Sequence, residues 1–311
     1  MLLKQRKDPI DSHTRLVGLI GYPARPWPMP VMYNAAFDAL DLNWRYVPLP
    51  VSGGQLREAL IGLRALGFAG AQVATHYQRD VLTYLDELSP AAETIGAANL
   101  IQVDARGRLL GDNTHWHGFL NILRTVSPSL DGLRPLVIGA GDAARSVVYA
   151  LSRQGLAVTI LDQHIDLAID LVHRLRHALD EHSFSVYRWP DDLGQAAADA
   201  NLIVNTTDAG IGYDTNNFVW PSDLPFPPDA VVFDLACQLD ETLFLRQARA
   251  GGRRVVGGFQ LLVYEAALAF EKWTGRIPPY EVMFEAAGQT PTEETTRDTA
   301  WARDWQRLVQ F

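Results

Sequence analysis

A glycine-rich turn between a buried strand and a helix is the feature that most constrains this chain. The apolar run Leu136-Val137-Ile138 leads directly into Gly139-Ala140-Gly141-Asp142-Ala143-Ala144. Gly-x-Gly-x-x-Ala in a strand–turn–helix context indicates a Rossmann domain that binds a dinucleotide, with the pyrophosphate at the helix N-terminus. We therefore predict cofactor contacts at Gly139, Gly141, Ala143 and Ala144. A tight turn that binds no ligand is the alternative.

The acidic residue expected after such a turn is also present. The next apolar run, Val158 to Leu161, ends at Asp162, which is 21 positions after Gly141. A carboxylate about 20 residues on normally binds the adenosine ribose hydroxyls. It would repel the 2′-phosphate of NADP, and no arginine stands at 163 or 164 to attract that phosphate. The sequence thus favours NAD over NADP, unless Asp162 is only a solvated acid at a strand end.

Alternating strand and helix patterns run through most of the 311 residues and predict an α/β fold. Two domains are expected for this length. We predict a disordered arm at 1–15, a substrate-binding α/β domain at 16–115 with 258–311, and a Rossmann domain at 116–257. Within the first domain, Arg79 to Leu88 is predicted to be a helix, and Ala98 to Val103 is predicted to pair with Leu109 to Gly111.

Composition narrows the classes of partner. The net charge of −9 argues against a nucleic-acid partner, because phosphates need a basic surface. No apolar run approaches the ~20 residues of a membrane span. Cys237 is the single cysteine, and no Cys/His spacing indicates a metal site. We expect a cytoplasmic protein that acts on a small molecule and binds no metal. Its oligomeric state stays open, with a homodimer among the options.

Six further motifs occur in the order seen in one enzyme family. They are Gly21-Tyr22-Pro23 with Pro30-Val31-Met32-Tyr33-Asn34, Gly67-Phe68-Ala69-Gly70, Ile95-Gly96-Ala97-Ala98-Asn99, Gly111-Asp112-Asn113-Thr114-His115 with Gly118-Phe119, Asn205-Thr206-Thr207, and the segment Gly258 to Gly275. Over about Leu16 to Gly275 the chain resembles the shikimate/quinate dehydrogenase family.

This resemblance implies both fold and chemistry. It implies a substrate domain, then a nucleotide domain, with the last helices returning to the first domain and a cleft that holds substrate and nicotinamide. It implies reversible hydride transfer at a ring carbon that bears a hydroxyl. It also implies cofactor contacts at Asn205, Thr206 and Gly258.

Several residues that differ from the family pattern stand at the positions to which the resemblance assigns catalysis. The catalytic lysine of the family falls at Gln78, and its partner aspartate falls at His115. Gln78 can donate a hydrogen bond but cannot titrate. Histidine suits proton transfer near neutral pH, so His115 is the first candidate for the lost role. Glu265 is a candidate to orient it. The alternative is a hydrogen-bonding role for His115 without proton transfer.

The substrate pocket implied by the resemblance is also altered. The two serines that hold the substrate carboxylate in the family fall at Trp27 and Met29, and a glutamine falls at Glu265. Asn99 is kept. Losing the hydroxyl donors and gaining a carboxylate disfavours an acidic substrate, so shikimate and quinate are predicted to be poor substrates.

Three functions are therefore compared. The first is an NAD-dependent oxidoreductase that acts on a small cyclic hydroxy or keto compound other than shikimate. The second is a catalytically inert NAD-binding regulatory protein of the same fold, since paired loss of lysine and aspartate is what relaxed catalysis would produce. The third is a lyase or isomerase with His115 and Glu265 as acid and base. The titratable group at 115 favours altered chemistry over inertness.

Overall fold

The computed structural model describes residues 10–21, 28–179, 183–207, 209, 220–237 and 241–288. The chain divides into two compact units. Unit 1 comprises Met1–Ser89, Ala98–Asp112 and Val263–Phe311, and unit 2 comprises Pro90–Ala97 and Asn113–Leu262. The α/β architecture is confirmed, as is the return of the last helices to the first unit.

Twelve strands are formed within the described residues. They are β1 (Arg15–Gly21), β2 (Trp44–Pro50), β3 (Gly70–Val73), β4 (Glu87–Leu88), β5 (Leu100–Val103), β6 (Leu109–Asp112), β7 (Pro135–Ile138), β8 (Val158–Asp162), β9 (Phe184–Arg188), β10 (Leu202–Asn205), β11 (Val231–Asp234) and β12 (Arg254–Gly257).

Ten α-helices are formed within the same residues. They are α1 (Met29–Ala39), α2 (Leu56–Ala65), α3 (Pro90–Ile95), α4 (His115–Val126), α5 (Asp142–Ser152), α6 (Ile165–Ala178), α7 (Leu193–Ala197), α8 (Leu243–Ala250), α9 (Gly258–Thr274) and α10 (Tyr280–Ala286).

Unit 2 contains a parallel sheet in the order β12-β11-β10-β7-β8-β9. If the six strands are numbered 1 to 6 along the chain from β7, the order is 6-5-4-1-2-3. This is the Rossmann strand order 3-2-1-4-5-6 read in reverse. The order reverses between β7 and β10, and ligands of such sheets bind where the carboxyl ends of strands flank that switch point. Every residue of β7 and β10 is buried, as the continuous apolar runs predict.

Unit 1 contains a mixed sheet in the order β2-β1-β3-β5-β6-β4. β1 pairs in parallel with β2 and β3, whereas β5 and β6 form the predicted antiparallel pair. Trp273 of α9 packs against this sheet and donates a 3.1 Å hydrogen bond from Nε1 to the carbonyl of Ile101. Gly70 is required beneath it, because a Cβ there would lie 2.4 Å from that nitrogen.

Two predicted segments differ in detail. The predicted helix over Arg79 to Leu88 is wrong: the structure has a short 3₁₀ helix at Asp80–Tyr84, followed by β4. The strand forms because Glu87 and Leu88 pair with Leu110 and Gly111 of β6, a partner that local periodicity does not reveal. Residues 1–9 of the predicted arm lie outside the described residues, and β1 begins at the arm's last residue, Arg15.

Candidate functional site

The glycine loop of unit 2 has the geometry that the sequence predicts. Gly139 follows β7 with a φ of +105°, a conformation that strongly favours glycine. A Cβ on Gly139 would also lie 2.6 Å from Oγ1 of Thr206. That hydroxyl donates to the carbonyl of Ile138 at 2.8 Å, so Thr206 supports the turn through its own side chain.

Gly141 differs from Gly139 because open space lies in front of it. It is exposed, forms the N-cap of α5, and a Cβ there would meet no atom within 4 Å. The first N–H groups of a helix have no partner within the helix, and they favour an anion. Ala143 is half-buried in this first turn, whereas Ala144 is fully buried against the sheet. The loop therefore has the accessible backbone that a diphosphate would require.

Asp162 lies beside this loop at the end of β8. Its Oδ2 accepts a 2.7 Å hydrogen bond from the backbone N–H of Ala140, and its Oδ1 accepts a 2.6 Å bond from the N–H of His164. A carboxylate has about four acceptor positions, so capacity remains for a ligand hydroxyl. The predicted ribose-binding residue and the predicted phosphate-binding loop are thus brought together.

A buried polar network lies at the neighbouring strand ends. Asn205, at the end of β10, donates through Nδ2 to Oδ1 of Asp234 at 2.8 Å and accepts at its Oδ1 from the Thr207 hydroxyl at 2.7 Å. Oδ2 of Asp234 accepts from the Thr242 hydroxyl at 2.6 Å. Burial raises the pKa of Asp234, while these hydrogen bonds oppose that shift.

The network shows what sequence reasoning missed. Asp234 and Thr242 were not singled out, although Asp234 ends β11 just as Asn205 ends the adjacent β10. The side chain of Asn205 is used within the protein, and its predicted contact with a cofactor stays a prediction. Gly258 lies close to the same strand exit, where a Cβ would come within 2.5 Å of the carbonyl oxygen of Leu235.

His115 begins helix α4 in unit 2 and is half-buried. Its backbone N–H donates to Oδ1 of Asn113 at 3.1 Å, and the same oxygen accepts from the Ser146 hydroxyl at 3.2 Å. Nδ2 of Asn113 donates to the carbonyl of Ala97 at 3.1 Å. Asn113, which is 2% exposed, therefore fixes the start of α4 and with it the position of His115.

Gln78 lies in unit 1 directly after the 3₁₀ helix Thr75–Tyr77. Only 2% of it is exposed, and its Nε2 donates to the carbonyl of Val73 at 3.1 Å. The N–H of Val73 in turn donates to the carbonyl of Asn99 at 2.9 Å. The structure thus places Gln78 and Asn99, both predicted site residues, on either side of the end of β3.

Met29 is part of a buried cluster in unit 1. The hydroxyl of Tyr46 lies 3.7 Å from Sδ of Met29 and donates to Oε1 of Gln72 at 2.9 Å. Tyr33 stacks on Tyr46 with ring centroids 4.4 Å apart. Sequence reasoning assigned no role to these two tyrosines, although Tyr33 adjoins Asn34 in the first of the six motifs. Trp27, the other residue predicted at the serine positions, lies outside the described residues.

Glu265 is 4% exposed on the part of α9 that belongs to unit 1. Burial is the largest cause that raises the pKa of Tyr33 well above its ordinary value, and the charges of Tyr46 and Glu265 raise it further. Glu265 therefore lies close enough to Tyr33 to contribute to the raised pKa of that phenol. Its predicted pairing with His115, which belongs to unit 2, stays a prediction.

Sequence and structure comparisons identify the family. A family model described as the shikimate dehydrogenase substrate binding domain matches residues 19–101. The chain is 38% identical over 282 residues to the shikimate dehydrogenase (NADP(+)) of Carboxydothermus hydrogenoformans, covering 90% of this chain and 98% of that protein. The chain belongs to the shikimate dehydrogenase family.

Solved structures of this family have the same fold. A shikimate dehydrogenase in complex with NADP+ superposes with a TM-score of 0.84 at 29% identity, covering 90% of this chain and 96% of the other. A shikimate 5-dehydrogenase from Listeria monocytogenes, in complex with shikimate and NAD, gives 0.81 at 27% identity, with coverage of 89% and 98%. The chain is thus a member of a family of oxidoreductases.

Neither a metal-binding cluster nor a membrane-spanning helix is present among the described residues. No group of three or more His, Cys, Asp or Glu side chains in that part of the chain is arranged to hold a metal ion. None of the helices in the same residues combines the length and apolarity required to cross a membrane.

Proposed function

We propose that this member of the family is an NAD-dependent oxidoreductase that acts on a small cyclic hydroxy or keto compound other than shikimate. The observation that carries the cofactor assignment is the 2.7 Å hydrogen bond between Asp162 and the N–H of Ala140. It fixes a carboxylate beside the open backbone of Gly141, where the ribose next to a loop-bound diphosphate would lie. When bound, NAD supplies the carbon that accepts or donates the hydride.

The preference for NAD rests on a balance of charges. Asp162 disfavours the 2′-phosphate of NADP, and residues 163 and 164 are glutamine and histidine. The competing cation is Arg188, which is opposite Asp162 on β9 and lies with Nη1 3.4 Å from the carbonyl of Gln163. The Carboxydothermus relative is named for NADP(+), so this balance is the point that the experiment must test.

Proton transfer is assigned to His115. At Gln78, the position of the family lysine, the amide is buried and donates to Val73, and an amide cannot exchange a proton with a substrate hydroxyl near neutral pH. His115 has an imidazole that can accept the hydroxyl proton and return it. Asn113 fixes the backbone from which that imidazole projects.

The substrate class follows from the side chains that replace hydroxyl donors. Met29 is 7% exposed and contacts the Tyr46 hydroxyl, so it cannot supply the hydrogen bond that serine gives to a carboxylate. Glu265 adds a buried acidic group to the same unit. Two such changes disfavour an anion and favour a neutral ring compound that bears hydroxyl or keto groups.

One observation favours the second function, an inert NAD-binding regulatory protein. The amide of Gln78 is held in an internal hydrogen bond, which is what a structural replacement of a catalytic residue would show. The two functions differ in turnover, while both require NAD binding.

Calorimetric titration with NAD and NADP, each oxidised and reduced, tests the cofactor assignment. Binding of NAD with much weaker NADP supports it, and failure of both to bind would overturn both functions. A screen of cyclic alcohols and ketones by nicotinamide absorbance then tests catalysis. Turnover of shikimate at roughly 1–1000 per second, the range ordinary for enzymes, would refute the proposed substrate class.

A further inference from the structure

The side chain of Asn113 joins three helices of unit 2. Its Oδ1 accepts from the N–H of His115 at the start of α4, and its Nδ2 donates to the carbonyl of Ala97 just after α3. A backbone N–H can only donate and a carbonyl can only accept, so these two partners determine which way the amide points. The contact of 3.2 Å between Oδ1 and the hydroxyl of Ser146 on α5 is therefore one in which the hydroxyl donates.

The C-terminal end of α3 is held in place by Arg174 of α6. Nε of Arg174 donates to the carbonyl of Thr94 at 2.9 Å, and Nη2 donates to that of Glu93 at 2.5 Å. The last carbonyls of a helix have no partner within the helix, so the guanidinium satisfies two of them. Gly96 turns the chain at this point with a φ of +74°, and a Cβ there would lie 2.6 Å from the guanidinium. The carbonyl of Ala97 is thus presented from a constrained segment.

Ser146 links this arrangement to the helix that follows the glycine loop. It is the fifth residue of α5, which begins at Asp142 directly after Gly141. Ser146 is 1% exposed and Asn113 is 2% exposed, so bulk water does not reach the bond between them. The helix whose N-terminus would receive a diphosphate therefore also holds the side chain that fixes the backbone of His115.

We propose that Ser146 is a positioning residue for His115. By donating to Asn113, the hydroxyl sets the start of α4 relative to α5, and so relative to a dinucleotide bound at the N-terminus of α5. The imidazole of His115 and the hydride-carrying ring would then be held on one frame. A displacement of about 1 Å at such a group can slow a reaction roughly 100-fold, so one hydrogen bond behind it matters. The proposal rests on the proposed role of His115 in proton transfer.

Hydrogen exchange of the His115 backbone amide tests this position without reference to activity. In protein labelled with nitrogen-15 histidine only the eight histidines give signals, and the amide signal absent from His115→Ala is that of His115. Ser146→Ala should raise the exchange rate of this amide at least about fivefold, because Asn113 loses one of the hydrogen bonds that hold it. Alanine is a good helix former and fits the space of serine, so the variant is expected to fold.

The kinetic counterpart is a change confined to kcat. On the substrate that the screen identifies, Ser146→Ala is expected to lower kcat at least about tenfold, because proton transfer requires a precisely placed group. KM and the dissociation constant of NAD should stay within about twofold, since the glycine loop is unchanged. A merely structural role of Ser146 would lower the stability of the protein and leave kcat of the folded enzyme as it is.

Ser152→Ala is the matched control. Ser152 ends α5 and is fully buried, and its hydroxyl has no hydrogen-bond partner among the described residues. The substitution removes the same atom from the same helix without affecting Asn113. It should leave both the exchange rate of the His115 amide and kcat unchanged.

Three results would overturn the proposal. They are an unchanged His115 amide in Ser146→Ala, equal effects of Ser146→Ala and Ser152→Ala, and faster exchange with an unchanged kcat. Failure of the proposed function gives a different result, which is a wild-type protein that binds NAD but converts none of the screened compounds. In that case the exchange rates still decide whether Ser146 holds His115 in place.

Discussion

The carboxylate of Asp162 accepts a 2.7 Å hydrogen bond from the backbone N–H of Ala140, which joins the end of β8 to the centre of the glycine loop. Under the proposed function, one residue would therefore have two effects on a dinucleotide. It would set the position of the loop, and it would contribute the negative charge that disfavours a 2′-phosphate on the adenosine ribose. The two effects can be tested separately with a variant of Asp162 that removes the negative charge and keeps a hydrogen-bond acceptor.

Replacement of Asp162 by Asn is expected to change cofactor preference without loss of the loop. The amide oxygen of Asn can still accept from the N–H of Ala140, although the bond from the N–H of His164 is lost, and the repulsion of a 2′-phosphate is gone. We expect the ratio of the NADP to the NAD dissociation constant, measured by calorimetry, to fall at least about tenfold, which is roughly 1.4 kcal/mol.

Two further variants complete that experiment. Asp191→Asn, at an exposed position of the same unit, should leave the ratio unchanged. Arg188→Ala should weaken NADP binding in the Asp162→Asn background. Arg188 pairs with Asp162 across β8 and β9, and its guanidinium lies beside the carbonyl of Gln163. An unchanged ratio in Asp162→Asn would show that Asp162 does not face the ribose.

The two glycines of the loop are expected to fail in different ways when each is replaced by alanine. Gly139→Ala meets Thr206 at 2.6 Å and a φ of +105°, so thermal unfolding should show a loss of roughly 2 kcal/mol or more. Gly141→Ala meets no atom within 4 Å and should fold normally. Its methyl group nevertheless occupies the space in front of the loop, so NAD affinity should fall at least about tenfold.

The NAD affinity of Gly141→Ala distinguishes a loop that binds a dinucleotide from a tight turn that binds no ligand. Gly54→Ala is the matched control, because a Cβ there also meets no atom within 4 Å and Gly54 belongs to unit 1, whereas the loop belongs to unit 2. A Gly141→Ala protein that binds NAD as tightly as the wild type would argue that the dinucleotide does not approach the backbone at this residue.

Sequence alone predicted the elements whose signal is local. The strand–turn–helix around Gly139 and the acid at Asp162 were predicted because buried parallel strands appear as apolar runs and the turn requires glycine. β9 was missed because none of its residues is buried and its sequence gives no apolar run. β4 was missed because a two-residue strand depends on its partner β6.

The residues of the candidate site also divide into those that the sequence predicted and those that it did not. Glycines and the acid were visible in sequence because backbone geometry limits the residue types that fit. The buried cluster of Met29, Tyr33, Tyr46 and Gln72 was only partly predicted, since its members come from α1, β2 and β3 and meet through tertiary packing. The internal hydrogen bond of Gln78 to Val73 likewise required coordinates.

His115→Ala is expected to lower kcat about 100-fold or more on the substrate that the screen identifies, because general acid–base catalysis contributes roughly that much. The calorimetric NAD affinity should stay within about twofold, since the Gly139–Gly141 loop is untouched. His117→Ala, at a half-buried position of the same helix, is the control. Full activity in His115→Ala would assign the proton step to another residue.

Glu271 of α9 makes the stability of the fold depend on pH. Burial raises the pKa of its carboxyl from 4.5 to about 7, although Lys272 opposes the shift. The folded state therefore holds this proton more tightly than the unfolded state. Stability is unaffected below the unfolded pKa, falls as pH rises from about 4.5 to about 7, and is constant above that window.

Glu271→Gln removes this dependence and is expected to make the protein relatively more stable at pH 8 than at pH 4. The full shift would correspond to roughly 3 kcal/mol, and screening of this half-buried group reduces that to about 1–2 kcal/mol. The readout is the difference in free energy of unfolding between variant and wild type at the two pH values, which cancels any pH-independent cost of the amide. Glu58→Gln, at an exposed position of α2, should show no such difference. A Glu271→Gln effect equal at both pH values would mean that the pKa of this carboxyl is the same in the folded and the unfolded protein.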